Sequence, residues 1–203
     1  MFPNPVHMVG GGVEVSRISI PAELIRDCFS AFETEELELS FDIYSNIGEE
    51  DKRLRRSKEL KRREPERFAM LFQMLDEFVL QSLHARGEGY SGSVSREQFM
   101  LYSDGAGAGL HVDDQFKPPR QFGRDRYVMH LLNQFAGLLY ISTDDLEGGE
   151  LVFPDHDISV KPLTGTLVAF PSNYLFPHLV APVMKGKRIA IARHYYVKDS
   201  AAV

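Results

Sequence analysis

Apolar and polar positions change rhythm about halfway along this chain. Up to Gly87 the apolar side chains fall mostly at helical spacing; after Gly92 they come in short runs cut by Gly, Pro, Asn and Asp. Val13-Glu14-Val15-Ser16-Arg17-Ile18-Ser19-Ile20 alternates apolar with polar residues, which predicts a half-buried strand. Pro21 then predicts a helix from Ala22 to about Phe32, with Leu24, Ile25, Cys28 and Phe32 on one face. Proline is tolerated at a helix start because its missing N–H has no partner to lose there. A second short extended piece runs through Leu39, Phe41 and Ile43. The strongest periodicity is the stripe Phe68, Leu71, Phe72, Leu75, Phe78, Val79 and Leu83. It predicts a helix opened by Pro65, capped at Gly87 and packed on a sheet. Residues 1 to 12, ending in Gly10-Gly11-Gly12, read as a mobile leader.

In the second half the candidate strands are Gln98 to Tyr102, Leu138 to Ser142, Glu150 to Phe153, Thr166 to Phe170 and Arg188 to Tyr196. Several short strands separated by turn signals predict an all-β barrel or sandwich that follows the helices.

Composition narrows the class. The 203 residues fit a single domain. A hydrophobic content of 43% supports a sizeable core, and 26% charged residues is ordinary for a globular protein. A net charge of -6 argues for solubility and against general nucleic-acid binding. No apolar run approaches the roughly 20 residues that span a bilayer, so no membrane partner is expected. The Met1-Phe2-Pro3-Asn4-Pro5 start lacks the basic region and apolar core of a secretory signal. The lone Cys28 excludes an intramolecular disulfide and suits a reducing compartment, so the expectation is a cytoplasmic protein. Basic residues crowd between Glu49 and Arg67: Lys52, Arg53, Arg55, Arg56, Lys58, Lys61, Arg62 and Arg63. Glu59, Glu64 and Glu66 are interspersed and no aromatics interleave, so a solvated face fits better than a nucleic-acid patch.

The candidate chemistry lies in His111-Val112-Asp113, with His178 far downstream and Arg188 ten positions beyond it. Two imidazoles and a carboxylate make the facial triad that holds non-haem Fe(II) and leaves coordination positions open. Residues two apart on a strand share a face, so His111 and Asp113 can reach one ion. The approach Asp104-Gly105-Ala106-Gly107-Ala108-Gly109 is no P-loop, because no Gly-Lys-Ser/Thr follows it. His156 in Asp155-His156-Asp157 reads as a structural turn residue. His130 and His194 stay open between core packing and substrate contact.

The surrounding motifs add specificity: Gly148-Gly149-Glu150-Leu151, then Gly165-Thr166-Leu167-Val168-Ala169-Phe170, then His178-Leu179-Val180-Ala181-Pro182-Val183, closing on Gly186-Lys187-Arg188. In this order they resemble the catalytic core of the Fe(II)/2-oxoglutarate-dependent dioxygenases, prolyl 4-hydroxylase-like branch, over roughly residues 95 to 197. The resemblance implies a mainly β fold with N-terminal helices around a double-stranded β-helix (jelly roll, cupin-like) core. Residues 1–94 would support residues 95–197 in one compact domain. It implies His111, Asp113 and His178 as iron ligands, with Arg188 pairing with the distal carboxylate of 2-oxoglutarate. Tyr140 would donate to the same carboxylate, and Tyr102 would line the pocket. Arg is well suited to that task, since a planar guanidinium can hold a carboxylate by two parallel hydrogen bonds. Alternation along the last strand leaves Lys187 outside if Arg188 is inside.

The implied cofactors are Fe(II), 2-oxoglutarate as cosubstrate, O2, and ascorbate as reductant. The implied activity is hydroxylation of an aliphatic C–H on a prolyl-like, peptidyl or amino-acid-derived substrate, with succinate and CO2 released. The implied partner is a small molecule, peptide or protein. The alternatives are an oxidative nucleic-acid demethylase, for which Arg193 is a near match to a second internal Arg, and a non-catalytic metal- or 2-oxoglutarate-binding sensor. The family often has a Trp near the end of the last strand, where this chain has Arg193-His194-Tyr195-Tyr196 and no Trp at all. The segment from Asp114 to Leu139, with Pro118, Pro119, Arg120, Arg124 and Arg126, is expected to border the substrate entrance, since long loops are often functional.

Overall fold

The computed structural model describes residues 7–10, 12–39, 57–61, 65–87, 89–94, 97–113 and 134–198. Strands β1 (His7–Gly10) and β2 (Val13–Arg17) precede helix α1 (Ala22–Thr34). β3 (Leu37–Leu39) and β4 (Lys58–Leu60) precede helix α2 (Pro65–Ala85). The described strands that follow are β5 (Gly89–Val94), β6 (Gln98–Ser103), β7 (Ala108–His111), β8 (Gln134–Ser142), β9 (Glu147–Gly148) and β10 (Leu151–Phe153), with a 3-10 turn at Pro154–His156. These are followed by β11 (Ile158–Val160), β12 (Thr166–Pro171), β13 (His178–Val180), β14 (Val183–Lys185) and β15 (Lys187–Lys198).

The major sheet runs β1-β2-β12-β8-β15-β6-β4-β3, with β5 also paired to β15. A minor sheet runs β11-β10-β13-β7, and β14 pairs with β9. All pairings are antiparallel. The two sheets face each other as a jelly roll, and both helices pack on the outer face of the major one.

Alternation along β8 and β15 divides two cores. Phe135, Leu139 and Ile141 with Ile189, Ile191 and Tyr195 join the helix-side core. Ala136, Tyr140 and Ala190 join the core between the sheets. All seven apolar stripe residues of α2 are buried in the helix-side core, each within 6% exposure. The helix comes close because β8 offers Gly137 there. A Cβ at that position would stand 2.6 Å from Val79 Cγ2 and 3.1 Å from Leu75 Cδ1.

Three expectations change. The leader is part of the sheet: His7 to Gly10 pairs with β2 across a turn at Gly12 (φ +102°). This covers an edge of β2 that would otherwise present unpaired backbone groups. The strand predicted through Ile20 stops at Arg17, because the Ile18 N–H turns aside to the Gly165 carbonyl at 2.9 Å and the chain heads for Pro21. Nor is β2 half-buried. Val13 packs between the sheets, while Glu14 on the other face is only 3% exposed. Its carboxylate accepts from Ser82 Oγ and from Arg86 Nε at 2.9 Å, so the buried charge is paired. Phe41 and Ile43 lie outside the described residues.

Candidate metal centre

The short strands β7 and β13 pair in the register that sets His111 opposite His178. Their ring centroids are 4.4 Å apart, and both side chains are under 5% exposed. Phe170 and Phe153 flank His178, with centroids 5.0 and 5.5 Å away. Each imidazole is oriented from behind by the backbone two residues before it: Nδ1 of His111 meets the Gly109 carbonyl at 2.7 Å, and Nδ1 of His178 meets the Phe176 carbonyl at 3.0 Å. A carbonyl oxygen only accepts, so each Nδ1 is the N–H and the neutral ring's lone pair is on Nε2. This backing by a second partner is typical of ligating histidines.

Asp113 completes the cluster from the turn just beyond β7, which ends at His111, and not from the strand itself. Its Oδ1 lies 3.5 Å from His111 Nε2 and 3.7 Å from His178 Nε2. One ligand atom from each of His111, Asp113 and His178 lies within 4.8 Å of the others. Burial works against the Asp113 charge, but the neighbouring His178, His194 and His111 imidazoles hold the carboxyl well below the usual carboxylate range. Burial pulls the His178 imidazole down. Burial also opposes the charge on His111, yet the Asp113 carboxylate beside it lifts it above its ordinary value. An ionised carboxylate and two converging nitrogen atoms fit a divalent cation, with three ligands on one side of it.

The same cleft, about 550 Å³ including its mouth, is lined by Arg188, Tyr140 and Tyr102. Arg188 is 1% exposed and donates through Nη1 to the Gly149 carbonyl. Its guanidinium carbon lies 4.4 Å from the centroid of the Tyr102 ring and 4.7 Å from that of Tyr140. Gly149 must stay small, since a Cβ there would stand 3.2 Å from Arg188 Cδ. Buried polar atoms in this cleft, Arg188 Nε and Tyr140 Oη among them, have no hydrogen-bond partner among the described residues. Burial pushes the Tyr140 phenol up to about 12, so at neutral pH it is a donor. A cation and a donor side by side, both short of acceptors, fit a carboxylate ligand.

The other expected positions sort by strand face. Lys187 is exposed, as alternation requires. Arg193 points away from the cleft: it pairs with Asp76 at 2.6 Å and with Glu97, and lies over the Phe72 ring on the α2 side. It therefore gives no support to a second cleft arginine. His156 bonds the Leu175 carbonyl at 2.8 Å and stacks on Phe176, a structural role. Lys61 pairs with Glu36 at 2.6 Å on the surface. Lys52, Arg53, Arg55, Arg56, Arg62, Arg63, His130 and the segment from Asp114 to residue 133 lie outside the described residues. His194, left open on sequence grounds, belongs to the site: its Nε2 is 3.1 Å from Asp113 Oδ2. Its signal was available, because it shares the strand parity of Arg188.

The fold and cluster together define a class: jelly-roll proteins that turn two imidazoles and a carboxylate toward one point between the sheets. The model of the 2OG-Fe(II) oxygenase superfamily matches residues 98–196, just under half of the chain, and over that stretch the chain resembles that superfamily. It is 40% identical over 68 residues to human (Homo sapiens) prolyl 3-hydroxylase 2, covering 31% of this chain and 10% of the relative. It is 30% identical over 102 residues to a PKHD-type hydroxylase of Maricaulis maris, covering 49% of this chain and 41% of that one. The matches thus span a tenth to two fifths of these relatives. A prolyl-4-hydroxylase structure from Pseudomonas putida superposes with a TM-score of 0.62 at 20% identity, covering 93% of this chain and 94% of the other. That likeness establishes the double-stranded β-helix fold. Among the described residues no helix is long and apolar enough to cross a membrane.

Proposed function

We propose that this chain is an Fe(II)- and 2-oxoglutarate-dependent oxygenase that hydroxylates an aliphatic C–H of a prolyl-like, peptidyl substrate. The observation that carries the reading is the pairing, in one cleft, of the His111–Asp113–His178 cluster with the acceptor-seeking Arg188 and Tyr140. When bound, iron and 2-oxoglutarate supply the oxidising chemistry, in which O2 is consumed, succinate and CO2 are formed and C–H becomes C–OH. Ascorbate as reductant and a cytoplasmic setting belong to the same proposal.

The protein's part is to hold and orient. His111 and His178 offer Nε2 because their Nδ1–H groups are occupied by backbone carbonyls. Asp113 stays ionised and lowers the charge of the bound cation. Arg188 grips the distal carboxylate of 2-oxoglutarate, helped by the Tyr140 hydroxyl, and Tyr102 walls the guanidinium in. Phe153 and Phe170 keep water from the back of His178. The names of the relatives, prolyl 3-hydroxylase and prolyl-4-hydroxylase, support a prolyl substrate.

The test is succinate release by purified protein with Fe(II), 2-oxoglutarate, ascorbate and proline-containing peptides. Succinate that requires iron and O2 and rises with peptide, together with a mass gain of one oxygen on proline, is the expected result. Tight binding of metal and 2-oxoglutarate without turnover on any peptide would favour the sensor instead.

A further inference from the structure

The long strand β15 brings a third imidazole to the metal cluster. Its cleft-facing positions are Arg188, Ala190, Ala192 and His194. Across the sheet His194 is in register with Ala136 on β8, a side chain small enough to let the ring lean over the sheet. Its Nε2 reaches 3.1 Å from Asp113 Oδ2, while Asp113 Oδ1 faces the Nε2 atoms of His111 and His178 at 3.5 and 3.7 Å. The two oxygens of one carboxylate are thus divided: one faces the point where the three ligand atoms converge, the other faces His194. The 3.1 Å contact places the His194 imidazole against that second oxygen, without the alignment of a directed hydrogen bond.

We propose that His194 is a positioning residue for the metal centre, holding Asp113 as a one-oxygen ligand by engaging its second oxygen. This rests on the iron and 2-oxoglutarate reading above. The division has a coordination consequence. A carboxylate free to turn can offer both oxygens to a cation, as carboxylates often do, and then fills one position more. The facial triad is useful because those positions stay open for other ligands. His194 prevents the turn by fixing the second oxygen, and its rigid strand prevents the imidazole from following. This is the arrangement in which groups behind a ligand set both its orientation and its affinity for the ion. It also gives a reason for a polar side chain at this point of β15, on a strand whose other cleft-facing residues past Arg188 are alanines.

The experiment is an anaerobic titration with Co(II) as the probe, on wild type, His194→Ala and His194→Gln, following the visible absorption that reports coordination number. His194→Ala is expected to weaken Co(II) about 10–100-fold and to change the spectrum. His194→Gln keeps an N–H donor and is expected to restore most of the affinity and the wild-type spectrum. If His194→Ala does not fold, as judged by circular dichroism, His194→Asn takes its place with the same expectation of weakening, since it shortens the donor's reach. Equal affinity and an unchanged spectrum in the Ala variant would overturn the positioning role and leave the metal-centre reading standing. A wild-type protein that does not bind Co(II) would overturn both.

Discussion

Replacing Arg188 with Met tests the cosubstrate site directly. Arg188 is 1% exposed, donates to the Gly149 carbonyl and lies against Tyr102 and Tyr140, with Nε lacking a partner among the described residues. If a carboxylate of 2-oxoglutarate completes this arrangement, removing the guanidinium leaves that carboxylate buried and unpaired. Breaking a buried ion pair in this way costs about 3–5 kcal/mol, or roughly two to three and a half orders of magnitude in Kd. The cost without cosubstrate is small. Losing the Gly149 hydrogen bond costs about 1 kcal/mol, and no longer burying a cation offsets it. The assay is calorimetric titration of Mn(II)-loaded protein with 2-oxoglutarate and with 2-oxopentanoate, which has a methyl group in place of the distal carboxylate. Wild type should prefer 2-oxoglutarate by that factor, and Arg188→Met should bind the two alike with its thermal midpoint near wild type. A variant that keeps the preference would refute the assignment of Arg188.

Two further predictions concern the scaffold. Gly137→Ala puts a Cβ 2.6 Å from Val79 Cγ2, so urea unfolding should show a loss of about 1–3 kcal/mol. Adding Val79→Ala should make the double variant more stable than the sum of the two single losses, and strict additivity would show that the contact is not the cause. Burial, with Asp27 adding to it, pushes the Cys28 thiol from 9.0 up to about 12. Between those values the unfolded chain releases the proton and the folded one keeps it, so stability is full below about pH 9 and falls as pH rises. Relative to Cys28→Ala, the wild-type unfolding free energy should drop by about 1.4 kcal/mol per pH unit in that window. A difference independent of pH would contradict the assigned burial.

Local periodicity made α2 legible, because a stripe of large apolar residues has one way to be buried. The centre was legible for another reason: His111, Asp113, His178 and Arg188 are spaced by a motif, and once the motif puts Arg188 inside, alternation leaves Lys187 outside. What escaped notice depends on pairing between distant segments. No local pattern says that His7 to Gly10 pairs with β2, or that Glu14 meets Ser82 and Arg86 across the sheet. The minor-sheet strands β7 and β13 are four and three residues long, too short for a period to register. His194 and Arg193 were readable in principle, since counting in twos from Arg188 separates them.

The pairing of β7 with β13 also fixes when, during synthesis, the protein can first hold an ion. A ribosome emits the chain from its N-terminus, at about 5–20 residues per second. The helix layer and β6 are available early, and so are His111 and Asp113. A side chain at the end of an unpaired strand and another in the turn after it do not make a site, because nothing yet aligns them. The second imidazole arrives only with β13, and the strand that joins β8 to β6 and carries Arg188 and His194 comes later still. Until β13 emerges, the nascent chain therefore lacks the third ligand. A cation held by all three ligands therefore has to wait until β7 has found β13.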